Sequence, residues 1–271
     1  MSDIAYLCTT CAVQYPPSAT PPAHCPICED ERQYVGPDGP GWTTPDEVRR
    51  TRTADWRNLE PGLFGLGAVP QLGIGQRALV VAQRDGGVMW DCIPLVSDAA
   101  VANLNAVGGL RAIAISHPHF FSAMVEWSEA LGGVAIYLHD DLRRYVTRPS
   151  AYIHYWSGET LSLGQGITLI RCGGHFSGST ALHWADGAAG RGALFSSDTI
   201  MVAPDTRWMS FMRSYPNYLP LNAARVRRIV DAVEPFAFER LYGGWWDRVC
   251  QEDGKARLRR SAERYLSAIA D

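Results

Sequence analysis

The 271-residue chain lacks any apolar run approaching the ~20 residues that cross a bilayer, so a helical membrane span is not expected. Its first residues, MSDIAYLCTTC, have neither a basic start nor an apolar stretch, which argues against a secretory leader and for a cytoplasmic location. An excess of either charge is also missing. Lys plus Arg number 25 against 28 Asp plus Glu, a net −3, so no global basic field draws nucleic acid or an anionic membrane to the surface. No repeat at solenoid or propeller spacing is present. The seven cysteines are odd in number, and four of them fall in two Cys-x-x-Cys pairs, a pattern that speaks for metal rather than for a disulfide framework.

What is present begins with those pairs. Cys8-x-x-Cys11 and Cys25-Pro-Ile-Cys28 are separated by thirteen residues rich in Pro, Ser, Ala and Thr, which cannot build a core alone. Each pair can form a knuckle that points two thiolates at one ion, and two knuckles supply the four sulfurs of a tetrahedral site. Residues 1–35 therefore read as a zinc-ribbon-like four-cysteine module holding structural Zn²⁺. Rubredoxin-like iron and a redox dithiol are the alternatives. His24 is expected to be a bystander, since four thiolates complete the shell. With little core of its own, the module is a candidate for self-association or for a protein partner.

Residues 36–58 are polar and punctuated and read as a linker, with a helix at 45–52 whose Arg49, Arg50 and Arg52 form a solvated face. The body, 59–271, then alternates strand and helix patterns. Strands are expected at 78–83 and 88–91, joined across the turn sequence RDGG and closed by Asp91. A helix follows at 98–107. The apolar run at 112–115 reads as a buried strand that delivers His117 and His119 at its C-terminal end, ahead of a helix at 121–131. Further strands are expected at 134–138, 167–172, 180–184, 192–196 and 240–242, and helices at 140–146, 221–233 and 252–269.

Three groups of metal-ligand type thus stand at strand ends: His117 with His119, His175 in GGHFSG, and Asp198 in SSDTI. Loops at strand termini let a rigid sheet aim side chains from distant parts of the chain at one point. Imidazole and carboxylate donors together suit Zn²⁺ or Fe. His139, His154 and His183 have no motif partner and read as ordinary strand-end or sheet histidines. Cys92, Cys172 and Cys250 read as buried thiols.

The order of these pieces, a hairpin ending in Asp, then SHPH, GGHFSGST and FSSDTI, resembles the metallo-β-lactamase fold superfamily and in particular its glyoxalase II-like hydrolases. The resemblance implies an α/β, αββα four-layer sandwich and metal-assisted hydrolysis of an ester, thioester, lactam, lactone or phosphodiester, a small-molecule substrate. The family's His-x-His-x-Asp-His motif starts on His117 and His119, but its Asp falls on Phe121 and its second-site histidine on Ser122. The last family histidine falls within YGGWWD, on Gly243 or Gly244. All three departures remove second-metal ligands. What the resemblance carries over is a single ion, Zn²⁺ or Fe, on His117, His119, His175 and Asp198. Asp198, or Asp91 behind the ligands, would stand in for the missing carboxylate that handles the water's proton. Glu126, one turn beyond Ser122, faces either the vacated position or solvent, and Arg207 and Arg213 either a substrate anion or surface carboxylates. Two functional classes follow: a single-metal hydrolase, and a binding or scaffold protein on a degenerate site.

Overall fold

The computed structural model describes residues 3–270, and the chain falls into two compact units. The first runs to Leu138 and takes up Arg143–Tyr155; the second comprises His139–Leu142 and everything from Trp156 onward.

The first unit opens with the cysteine segment. Strand Leu7–Cys8 pairs antiparallel with Trp42–Thr43, and Pro26 starts the one-turn helix Pro26–Glu29 directly after Cys25. Helix Pro45–Thr51 is marked at both ends by its sequence. Thr44 accepts the Glu47 amide at 3.1 Å, Pro occupies the first turn, acids stand at the N-terminus and Arg49 and Arg50 at the C-terminus.

A seven-stranded sheet follows, in the order Thr53–Glu60, Leu63–Val69, Ala78–Val81, Gly87–Trp90, Leu110–Ala114, Ala135–His139, Ile153–Trp156. The first four strands form an antiparallel meander; from Gly87–Trp90 to Leu110–Ala114 and on to Ala135–His139 the pairing turns parallel. Strands Ala78–Val81 and Gly87–Trp90 are buried at every residue, which accounts for their unbroken apolar text. The expected hairpin across RDGG is there, with Val81 opposite Val88.

The segment expected to be a linker, 36–58, is structured instead. It holds strand Trp42–Thr43, helix Pro45–Thr51 and most of strand Thr53–Glu60, the edge of the seven-stranded sheet. That strand has no buried apolar residue, only half-buried and exposed ones with Glu60 buried at its end, so its sequence shows little of the apolar alternation that marks a strand against a core. Its neighbour Leu63–Val69 escapes notice because the glycines of LFGLGAV read as punctuation. The cysteine segment is not a unit of its own either: it belongs to the first unit with the sheet.

The second unit is built on six strands in the order Thr160–Gly164, Ile167–Arg171, Thr180–Trp184, Ala193–Ser197, Arg240–Gly243, Val249–Cys250. All neighbours are antiparallel except Ala193–Ser197 with Arg240–Gly243. Helix Ala223–Val233 buries Val226, Ile229 and Val233, spaced three and four apart on one stripe, and Gly254–Ala268 buries Leu258 and Ala262 in the same core. Each large aliphatic side chain so buried contributes about 1.5–3 kcal/mol. Small two-stranded pairs, Met201–Val202 with Met209–Ser210 and Met212–Ser214 with Leu219–Pro220, follow the strand that ends at Ser197.

Candidate metal centres

The four module cysteines come together. All are buried, their sulfurs lie within 4.8 Å of one another, and the pairs Cys8 with Cys28 and Cys11 with Cys25 are each 3.7 Å apart. A tetrahedral ion held at about 2.3 Å requires sulfur–sulfur edges of about 3.8 Å, so the cluster has the dimensions of a four-thiolate metal site. It is far wider than the roughly 2 Å of a disulfide. The knuckles are set by backbone bonds, Ala12 N to Cys8 O at 2.8 Å and Cys28 N to Cys25 O at 2.9 Å. Tyr15 Oη donates to Cys25 Sγ at 3.1 Å, and burial drives the Cys11 thiol well above its ordinary pKa. Gathering four thiolates here without a cation is therefore costly, and metal would displace protons. His24 is exposed and paired with Glu29 at 2.8 Å, a bystander as expected.

His117 and His119 stand just past the C-terminal end of the buried strand Leu110–Ala114. Asp91, in the left-handed region at φ 63°, ends the neighbouring strand and ties the turn down: its amide donates to Ala114 O at 2.8 Å, and its Oδ1 accepts the Ser116 amide at 2.8 Å. Pro118 then opens a single 3₁₀ turn, Pro118–Phe120, which brings the two imidazoles to 5.2 Å between ring centroids at 74°. Burial, aided by the Arg32 guanidinium, pushes His117 down to about 3. The imidazole is thus neutral at physiological pH, the form that binds cations.

The second unit presents His175 and Asp198. Gly173 and Gly174, at φ 67° and 78°, turn the chain away from strand Ile167–Arg171. A side chain on Gly174 would meet Ile229 Cδ1 at 2.4 Å, so only glycine fits before His175. His175 Nδ1 lies 2.9 Å from the Met212 carbonyl, which only accepts, so Nδ1 carries a proton, and in the neutral imidazole Nε2 is the nitrogen with the lone pair. Asp198 is buried directly after strand Ala193–Ser197, behind Ser197 at φ 54°. Tyr215 Oη donates to the Asp198 carbonyl at 3.0 Å. Burial and then the Asp198 charge raise the Tyr215 pKa well above its ordinary value, which keeps that donor protonated. One short stretch, 212–215, thereby steadies both residues. The first unit thus offers two buried imidazoles, His117 and His119, and the second a buried imidazole and a buried carboxylate, His175 and Asp198, all donors of metal-binding type.

The positions expected to have lost ligands are closed. Phe121 and Ser122 are buried, and the Ser122 carbonyl accepts the Gln14 amide at 3.0 Å. At Gly243 a Cβ would meet Arg248 O at 3.0 Å and Arg248 Cβ at 3.1 Å, so the backbone leaves little room for a side chain. Glu126 is engaged elsewhere, accepting from Gln14 Nε2 at 2.5 Å and Arg49 Nη1 at 2.7 Å. Arg207 pairs with Asp205 at the exposed surface. His139 and His183 bind the carbonyls of Gly158 and Ala237, as ordinary sheet histidines do. Cys172 is fully buried, its thiol pushed up to about 12, which makes it a poor nucleophile. Gln14, Met212 and Tyr215 carry no sequence motif and are found only through their partners.

Comparison with known proteins adds the lineage. No protein-family model matches the sequence. The protein YmaE of Bacillus subtilis (strain 168), itself described as uncharacterized, is 43% identical over 266 residues, covering 97% of this chain and 96% of its own. The chain belongs to the YmaE family. Among solved structures, VMB-1 matches at a TM-score of 0.61 and 14% identity over 81% of this chain and 99% of its own. The DIM-1 metallo-β-lactamase follows at 0.60 and 15%, over 80% and 98%. FIM-1 from Pseudomonas aeruginosa, in its mono-zinc form, matches at 0.57 and 13%, over 80% and 96%. The YmaE-family chain thus has the α/β metallo-β-lactamase fold expected of it, with a four-cysteine cluster near its N-terminus. Among the described residues no helix is long and apolar enough to cross a membrane.

Proposed function

We propose that the chain is a metal-dependent hydrolase in which His117, His119, His175 and Asp198 hold one divalent ion, while Cys8, Cys11, Cys25 and Cys28 hold a structural Zn²⁺. The observation that carries the reading is the set of histidine and aspartate donors. Three buried imidazoles and one buried carboxylate, each delivered at a strand end of a metallo-β-lactamase fold, suit Zn²⁺ or Fe. The closed packing at Phe121, Ser122 and Gly243 supports a single ion, and FIM-1 is a relative in fold that has been crystallised with one zinc.

A divalent ion bound there supplies Lewis acidity and lowers the pKa of a water from ~15.7 toward ~7. The chain's own residues do the rest. Burial keeps His117 neutral, the Met212 carbonyl fixes the His175 tautomer, and Asp91 anchors the turn through the Ser116 amide. The Asp198 carboxylate takes the proton of the attacking water and returns it to the leaving group. The substrate is a small ester, thioester, lactone or phosphodiester.

A catalytically degenerate binding protein is the second reading. It is favoured by the tight packing around Phe121 and Ser122, where Val13, Gln14 and Arg148 leave a cavity of only about 10 Å³. Full-length Zn²⁺-loaded protein assayed with p-nitrophenyl acetate, a thioester, a lactone and bis(p-nitrophenyl) phosphate separates the two. The hydrolase reading expects turnover of at least one probe, lost on chelation and reduced at least about 100-fold in His175→Ala and Asp198→Asn. No turnover of any probe, or turnover indifferent to both substitutions, overturns it.

A further inference from the structure

Gln14 is bound by the rest of the first unit through every polar group it has. Its amide donates to Ser122 O at 3.0 Å, and its carbonyl accepts from Thr147 Oγ1 at 2.9 Å. Its Nε2 donates to Glu126 Oε2 at 2.5 Å, and its Oε1 accepts from Arg148 Nη1. The side chain is 2% exposed. A residue in an isolated bridge has no need of such saturation, and two of the four partners flank one place. Ser122 lies three residues beyond His119, at φ 44°, between the 3₁₀ turn Pro118–Phe120 and the helix Met124–Ala130 on which Glu126 stands.

The other end of this connection is the cysteine cluster. Gln14 bridges Leu7, the residue before Cys8, and the Cys8 amide binds Val13 O at 3.0 Å. Tyr15, the residue after Gln14, donates to Cys25 Sγ. The backbone on both sides of Gln14 is therefore tied to the knuckles, and an ion held by the four sulfurs would lock the knuckles and this backbone together.

We propose that Gln14 is a positioning residue for the turn bearing His117 and His119, so that metal in the cysteine cluster and metal on the histidines bind cooperatively. This rests on the reading that His117 and His119 are ligands. Metal in the cluster holds the segment 7–15; Gln14 then clamps Ser122 and Glu126, and the 3₁₀ turn between Leu110–Ala114 and Met124–Ala130 keeps both imidazoles in a binding geometry. The cysteine-bearing segment covers this place, with Val13 and Gln14 against Phe121 and Ser122. Because the coupling is a free energy shared between two binding equilibria, it acts equally in both directions.

The test is a Zn²⁺ competition titration with a chromophoric chelator on full-length protein, resolving the two sites. Wild type is expected to bind two ions. Gln14→Ala should keep the cysteine-bound ion while its histidine-site affinity falls by about 10–100-fold, the usual effect of losing a group that orients metal ligands. Gln14→Glu, which sets a carboxylate against Glu126, should weaken that site as well. The double variant Gln14→Glu/Glu126→Gln restores the hydrogen bond with its polarity exchanged and should recover most of the affinity, which a purely packing role would not do. In the reverse direction, His117→Ala/His175→Ala leaves the module untouched and should weaken the cysteine cluster by a factor similar to that seen in Gln14→Ala.

If wild type binds two ions and Gln14→Ala alters the histidine site less than about twofold, the proposal is overturned and the hydrolase reading stands. The proposal falls in the same way if the histidine variant leaves the cysteine affinity unchanged. If wild type binds metal only at the cysteines, the metal-centre reading fails and the coupling with it.

Discussion

Asp91 offers a clean dissection, because its backbone and its side chain have separate tasks. Its φ of 63° is left-handed, and its Oδ1 accepts the amide of Ser116, a residue with no exposed surface. Forcing alanine into that conformation costs about 1 kcal/mol, and leaving a buried amide without its acceptor costs about 1–3 kcal/mol. Asp91→Ala should therefore lose about 3 kcal/mol, Asp91→Gly about 2, since glycine adopts the conformation without strain, and Asp91→Asn under about 1, since asparagine tolerates the conformation and keeps an acceptor oxygen. At roughly 2–4 °C per kcal/mol for a chain of this size, thermal unfolding should rank the variants Asn, Gly, Ala with steps of a few degrees. Equal losses for Gly and Ala would refute the backbone part. An Asn variant as damaged as Ala would show that charge, and not the hydrogen bond, anchors the histidine turn.

Gly174→Ala adds a Cβ at 2.4 Å from Ile229 Cδ1 on a backbone at φ 78°. It should destabilise the second unit by about 2 kcal/mol or more and weaken metal binding through displacement of His175, measured by denaturant unfolding and metal titration; wild-type behaviour in both would contradict the packing described. The metal-free protein should also lose stability in acid. The His117 pKa is lowered on folding from 6.5 to about 3, so the unfolded chain binds the extra proton across that window. Stability from this group is fully present above pH 6.5 and falls by about 1.4 kcal/mol per pH unit toward pH 3. His139 and His183, lowered by burial too, act in the same direction, and unfolding followed from pH 7 to 4 with His117→Gln as reference isolates the His117 share.

Much of this is legible in the sequence because the relevant signals are short-range. The Cys-x-x-Cys pairs, the SHPH turn and the GGHFSG loop each concentrate their chemistry within a few residues, and the buried strands around them announce themselves by unbroken apolar text. Strand Thr53–Glu60 stays hidden because an edge strand that buries no apolar residue has little pattern to show. Gln14 stays hidden for another reason: its side chain meets Glu126 and Arg148, 112 and 134 residues away, and no local motif encodes such a contact. The part played by Met212 is of the same kind, since a backbone carbonyl orients His175 whatever side chain stands there. Glu126 reads ambiguously, between solvent and the vacated position, because its Arg49 partner lies in a segment whose text looks like a linker.

The most direct measurement is the metal content of the purified full-length protein, by inductively coupled plasma mass spectrometry, beside His117→Ala/His175→Ala. Two ions per chain in wild type and one in the variant are predicted, the survivor being the cysteine-bound zinc. A single ion in wild type, or two retained after both histidines are gone, would contradict the account.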